Sequence, residues 1–457
     1  MAFTYPWASP VDRLPYELLA EIFEHCCLTQ PTVKYPCARP SKDEAPLLLL
    51  GVCRKWRECV LATRSLWSRL CIGRISSANR VIYATAAKAW LDRAGSTPLS
   101  IDLCYARYAD ENTQDAVDHA LQQVFTPARV WKVVYVEILG PPRADSTCID
   151  GILNTVLGQS PALESFSFEV TGYWQNRDVP PTKTINMGYA PNLSTLSITF
   201  NKRIADFGLS FGGGIFDNVR DLKLLWFPSN NDCIEIVRRC PNVEVLHVSL
   251  RAPKHLGTGT TVHTLAKLHT LSVNAVIDVN HDVAEFLDAL CTPALTELTM
   301  DSKCNSWARE PTRWPHLAHL LARSQPPLKS LTLLSTNMGG DDIISCLQHA
   351  PQLVILSGDG VVFGPEIMAA LTPSAERAEI PMCSQLAMIS LKGTQWGFSA
   401  LATMIYARWT ISRGRSAQKS GMSPVEVVEM PSNHRSSFLQ CQGMAECEDH
   451  GLDLWFT

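Results

Sequence analysis

The chain has 457 residues, 46% of them apolar and 18% charged. That is ample material for a large core and excludes whole-chain disorder, which goes with few apolar side chains and much charge. With 40 Lys and Arg against 44 Asp and Glu, the formal charge of −4 argues against general polyanion binding, since phosphate backbones are held by basic surfaces.

The opening MAFTYPWASPVDR carries neither the basic nor the apolar run of a secretory leader. No apolar stretch approaches the ~20 residues that span a bilayer. The 16 cysteines include no C-x-x-C pair, which fits free, buried thiols in a reducing compartment. The expectation is a cytoplasmic or nuclear protein with no membrane or nucleic-acid partner.

Residues 1–12 read as a short tail. From 13 to 26, Leu14, Leu18, Leu19, Ile22 and Phe23 recur at helical spacing, and Pro15 suits a first helical turn, where its missing N–H costs nothing. Residues 29–45 carry three prolines and mixed charge and read as a loop. Two more helical patterns follow in 46–71. One places Leu49, Val52, Cys53, Trp56 and Val60 on one face; the other is short, around Leu66, Trp67 and Leu70. A further helix is predicted over 77–94, ending near Gly95. The division expected is a small helical domain over 13–73, a linker helix over 74–97, and a repeat region over 98–457.

In that last region a run of the form L-x-x-L-x-L keeps returning, usually after proline, as in PALESFSF at 161, PNLSTLSI at 191 and PNVEVLHV at 241. The second anchors are Phe166, Leu196, Leu222, Leu246, Leu271, Leu298, Leu331, Leu356, Ile389 and Val428, spaced by 24 to 39 residues. Helical patterns lie between them, at 148–160, 231–240, 282–291, 315–324 and 341–350. A strand and a helix repeated at this length cannot bury their faces alone, so stacked copies are needed. The fold class expected is α/β: an irregular leucine-rich-repeat solenoid, with parallel strands on a concave face and helices outside. The asparagine that usually follows such strands is not regular here, so hydrogen bonding between repeats must differ.

Side chains alternate along a strand. With the leucines inward, Thr199, Lys223, His247, Asn274, Asp301 and Lys392 face outward, as candidates for contacting a protein substrate. Loops carrying Trp226, Phe227 and Trp396 compete with them.

The segments LPYELLAEIF (14–23), LLGVCRKWRECV (49–60) and SLWSRL (65–70) together resemble the F-box, most of all in its fungal members. The resemblance covers about 60 residues and departs from the family in the insertion over 29–45. It implies a Skp-type adaptor and, through it, a cullin, with the repeats recruiting a protein substrate for a Skp–cullin–F-box ubiquitin ligase. On this reading Leu14, Pro15, Glu17, Leu18, Ile22, Phe23, Val52, Cys53, Trp56 and Trp67 form the adaptor-binding set. Trp56 and Trp67 could serve as contacts or as internal core. The chain itself would be non-catalytic and need no cofactor. The alternative is an F-box-capped scaffold acting outside the ligase. On helical spacing alone, the same residues also suit the core of a cap.

Near the end, His434, Cys441, Cys447 and His450 gather four possible zinc ligands in a short stretch. Their spacing fits no usual zinc finger, and no metal is expected. A loosely packed tail is the reading for these residues.

Overall fold

The structure, a computed structural model, describes residues 10–28, 37–73, 80–106, 111–139, 147–158, 160–171, 183–188, 190–200, 207–210, 214–227, 230–250, 261–276, 280–303, 313–336, 338–373, 382–392, 397–413 and 422–456. It is a mixed α/β protein that divides into two compact units, Met1–Val219 and Arg220–Thr457. Among the described residues no helix is long and apolar enough to cross a membrane.

The first unit opens with α1 (Tyr16–Leu28), α2 (Arg54–Ala62) and a 3-10 turn over Arg64–Trp67. It continues through β1 (Arg69–Ile72), α3 (Arg80–Ala94), β2 (Leu99–Ala106), α4 (Glu111–Val124), β3 (Trp131–Leu139) and α5 (Thr147–Gly158). Then come β4 (Ser165–Thr171), β5 (Lys183–Asn186), β6 (Thr195–Thr199) and β7 (Phe207–Ser210). Strands β1, β2, β3, β4 and β6 pair in that order, all parallel, and β5 pairs with β7.

Two expectations are corrected here. The pattern around Leu70 is a strand, not a helix: Arg69 is exposed while Leu70 and Ile72 are buried, and all four residues of β1 pair with β2. Helix α3 therefore connects two parallel strands of one sheet and is no linker. The segment between α1 and α2 is also tied in. Cys37 and Ala38 are buried, and Cys71 donates its N–H to the Ala38 carbonyl at 2.8 Å.

The second unit runs β8 (Asp221–Phe227), α6 (Asn230–Arg239), β9 (Val245–Leu250), β10 (His263–Thr264), β11 (Thr270–Val276), α7 (Asn280–Asp288), β12 (Leu290–Cys291) and β13 (Glu297–Lys303). It goes on with α8 (His316–Ser324), β14 (Ser330–Leu334), α9 (Gly340–Gln348), β15 (Ile355–Gly358), α10 (Pro365–Leu371), β16 (Met388–Leu391) and α11 (Phe398–Arg413). It closes with β17 (Val427–Met430), α12 (Arg435–Leu439), α13 (Met444–Asp449) and β18 (Asp453–Phe456). Strands β8, β9, β11, β13, β14, β15, β16, β17 and β18 pair in sequence, all parallel.

The repeated triplet explains this order. Its first apolar residue closes a turn: Val243 donates to Cys240, Leu268 to Leu265, Leu295 to Thr292, and Leu353 to Ala350. The second and third then point inward from the strand, as Leu246 and Val248 or Leu271 and Val273 do, and all of them are buried. Apolar area removed from water at each repeat is the dominant favourable term.

Main-chain bonds supply what an asparagine ladder would. Glu244 and Val245 both donate to the Arg220 carbonyl, at 2.8 and 2.9 Å. The same doubled bond reaches Glu244, His269, Thr296, Lys329, Val354 and Ala387. Each repeat thus satisfies the carbonyl that its neighbour leaves at the strand entrance.

Sequence reading missed α4, α10 and α11, and it misjudged the end of the chain. Residues 432–456 are not a loose tail. Phe438, Met444, Cys447 and Leu452 are buried, and β18 extends the sheet from β17. Trp226 and Phe227 belong to β8 and not to a loop, whereas Trp396 lies outside the described residues.

Candidate functional site

Helix α1 carries two apolar stripes side by side. Leu19 and Phe23 face inward, and Phe23 is only 1% exposed. Leu18 and Ile22, each one position earlier, face outward at 48% and 45% exposure. A helical step of about 100° separates neighbours in sequence, so one packed contact can bury only one stripe.

That contact is made by α2 and the turn after it. The Phe23 ring meets Trp56 with centroids 4.8 Å apart. Lys55 Nζ donates to the Leu14 carbonyl at 2.9 Å, and the Cys59 thiol to the Tyr16 carbonyl at 3.5 Å. These bonds fix the start of α1 against α2. The Cys53 sulfur accepts from the Trp56 N–H at 3.5 Å, capping α2. Ser65 bonds to Glu24, tying the following turn to α1.

Trp67 is fully buried. Its indole N–H donates to the Val60 carbonyl at 2.9 Å, and its ring meets Trp90 edge-on at 5.0 Å. Arg93 lies over the same ring at 4.8 Å.

The adaptor-binding set of the sequence reading therefore splits. Pro15, Glu17, Leu18, Ile22, Val52 and Cys53 are exposed, and Leu14 and Trp56 are half-buried. Phe23 is corrected to interior, and of the two roles open to Trp67 the structure shows internal core: both are buried and pack helices against one another. Sequence reading did not single out Tyr16, Leu48 and Leu61, which are exposed apolar residues of the same segment. Their signal was helical spacing, which does not say which stripe is covered.

The outward sheet residues do not form one cluster. Lys223 and His247 are register neighbours on β8 and β9, and Asn274 and Asp301 on β11 and β13. Thr199 pairs with Glu169 in the first unit. Lys392 follows β16, and its ammonium contacts the Glu429 carboxylate at 2.8 Å. Ser390 bonds to the same carboxylate. The hydrogen bonds from Lys392 and Ser390 hold Glu429 below the usual carboxylate range, against a smaller opposing effect of burial. Burial lowers His247, against Asp221, which raises it, and with a smaller lowering by Lys223. Glu429 was missed because β17 has only four residues and a weak alternation.

The four C-terminal His and Cys side chains are engaged elsewhere. His434 meets the Phe398 ring at 5.6 Å and His450 the Trp409 ring at 5.5 Å. Cys441 donates to the Ser437 carbonyl and Cys447 is buried. Among the described residues no group of three or more His, Cys, Asp or Glu side chains is placed to hold a metal ion.

No protein-family model and no curated protein matches the chain.

Proposed function

We propose that the protein is the substrate-recognition subunit of a Skp–cullin–F-box ubiquitin ligase. The observation that carries this reading is the uncovered apolar stripe of Leu18 and Ile22, with Val52 at 54% exposure near the start of α2. All three fall in the segments that resemble the F-box. Apolar side chains left in water after a helical segment has packed are typical of a groove or helix interface.

On this reading the N-terminal helices dock on a Skp-type adaptor, and through it on a cullin. The strands of the repeat region present half-exposed polar residues, among them Lys223, His247, Asn274 and Asp301, to a protein substrate. The receptor works by proximity. It raises the effective concentration of a target lysine near a charged conjugating enzyme held elsewhere in the assembly, and it forms no covalent intermediate itself.

The test is co-purification of the full chain with a Skp-type adaptor and a cullin, beside the Pro15→Ala/Leu18→Asp double variant. Recovery of both partners by the wild type and of neither by the variant is the expected result. Adaptor without cullin would turn the reading to a scaffold outside the ligase. Recovery of neither partner by the wild type would remove the ubiquitin assignment.

A further inference from the structure

In the first unit a pocket of about 380 Å³ opens where β1, β2 and β3 begin. Strand register builds it. Arg69, Ser100 and Val133 are direct neighbours across the three strands, so their side chains share one face. The core residues Leu70, Ile101 and Val134 alternate to the other side and are buried. Main-chain bonds from Ser100 to Ser68 and from Leu99 to Val130, both 2.8 Å, fix the strand entrances. Cys37 forms a wall, held against the sheet by the neighbouring bond from Cys71 to Ala38. The pocket is thus preformed, and its volume falls in the lower part of the range for small-molecule sites, roughly 300–1,000 Å³.

Its lining has a definite charge. Two cations reach it, Arg69 and Lys132, and no carboxylate is among the lining residues. Among the described residues no carboxylate lies within ion-pair distance of Arg69, which is exposed. Lys132 contacts Glu164 at 3.4 Å, but both side chains are about half exposed (45% and 52%). Such a pair is worth little and leaves further ammonium donors. Asp102 lies one pleat further along the same face, where the Cys71 thiol is 3.8 Å from it. Burial, and after it the charge of Asp102, pushes the Cys37 thiol up to about 12 against the opposing effect of Arg69, so the thiol itself adds no negative charge. Thr97 and Ser100 contribute hydroxyl donors, and Pro98 an apolar surface.

A guanidinium and an ammonium beside two hydroxyls, with no competing anion in the lining, match a tetrahedral oxyanion. Arg offers it paired N–H donors and Lys a point charge. We infer that this pocket binds a phosphate group carried on a compact organic body. The inference stands apart from the adaptor reading and does not depend on it.

The phosphate could belong to a small metabolite or to a phosphorylated side chain, and three probes distinguish these sources. The full-length chain is titrated by calorimetry with inorganic phosphate, glycerol 3-phosphate and a phosphoserine pentapeptide, at low and matched ionic strength. Saturable binding of at least one probe is expected, weakened at least tenfold by Arg69→Gln and by Lys132→Gln and unchanged by Lys88→Gln on α3. Tighter binding of glycerol 3-phosphate supports a small-molecule ligand, and tighter binding of the pentapeptide a protein segment. Equal binding of all three would overturn the organic body and leave a site for the phosphate alone. Circular dichroism of each variant shows whether it is folded. Absence of saturable binding by every probe, or binding that survives both pocket substitutions, would overturn the inference.

Discussion

Arg408 Nε donates to the Leu371 carbonyl at 3.1 Å from a side chain with no exposed surface. Leu371 ends α10, so its carbonyl has no partner within the helix. The remaining guanidinium nitrogens reach the carbonyls of Cys383 at 3.0 Å and Met382 at 2.6 Å. One planar fork from α11 thus serves three acceptors on two other segments. Burial lowers Arg408 to about 10, so it remains charged at neutral pH. Removing the fork leaves buried carbonyls unpaired. Arg408→Met is expected to cost about 3–5 kcal/mol, the usual penalty for breaking a buried charged contact. Arg408→Lys should recover little, because an ammonium lacks the geometry to span all three. Urea unfolding of the three proteins measures this, and equal midpoints would refute the bracing role.

Glu429 sets an acid limit on the second unit. Its folded value lies below the ordinary 4.5 because Lys392 and Ser390 bond to the ionised form. A lowered carboxylate contributes stability that is complete above its unfolded value. That stability is lost as pH falls through the folded value. The wild type should therefore lose more stability than Glu429→Gln as pH drops below 4.5, and the two should differ by a constant amount above pH 6. Urea midpoints across pH 3 to 7 check this. Parallel curves would remove the contribution.

The two stripes of α1 separate folding from docking. Phe23→Ala and Trp67→Ala each empty an interior site and should cost about 3–5 kcal/mol. Leu18→Asp and Ile22→Asp change exposed positions and should shift stability by less than about 0.5 kcal/mol. Thermal melts followed by circular dichroism test the contrast. If Leu18→Asp melted as early as Trp67→Ala, the exposed stripe would be part of the core after all.

Gly358 occupies the third anchor position of its repeat, after Leu353 and Leu356. A Cβ built there would lie 2.6 Å from Val362 Cγ2 and 2.9 Å from the Leu333 carbonyl oxygen. No rotamer relieves a clash with main chain. Gly358→Ala should therefore destabilise by about 1–3 kcal/mol, as overpacking does. Leu356→Ala at the preceding anchor should cost about 2–5 kcal/mol by leaving a cavity. A Gly358→Ala protein as stable as wild type in urea would show that the end of β15 is looser than its contacts with Val362 and Leu333 imply.

The sequence by itself determined the parallel strand register of the repeats. Each L-x-x-L-x-L run joins a turn leucine to two strand leucines, a pattern read from neighbours only a few residues apart. It also marked α1 and α2, whose apolar residues recur at helical spacing. What it could not show was which of two adjacent stripes is buried. Leu18 and Leu19 are chemically identical, and only the docking of α2 and the turn after it covers one of them. Strand β1 was illegible for a similar reason. Four residues carry too little periodicity, and their extended form is held by β2, about thirty residues further on. Arg408 and Glu429 depend on partners 25 to 39 residues away. The pocket at the start of β1, β2 and β3 joins segments from Cys37 to Val133. Short-range periodicity decides which residues seek burial. Tertiary contact decides which of them find it, because a partner surface exists only once distant segments have met.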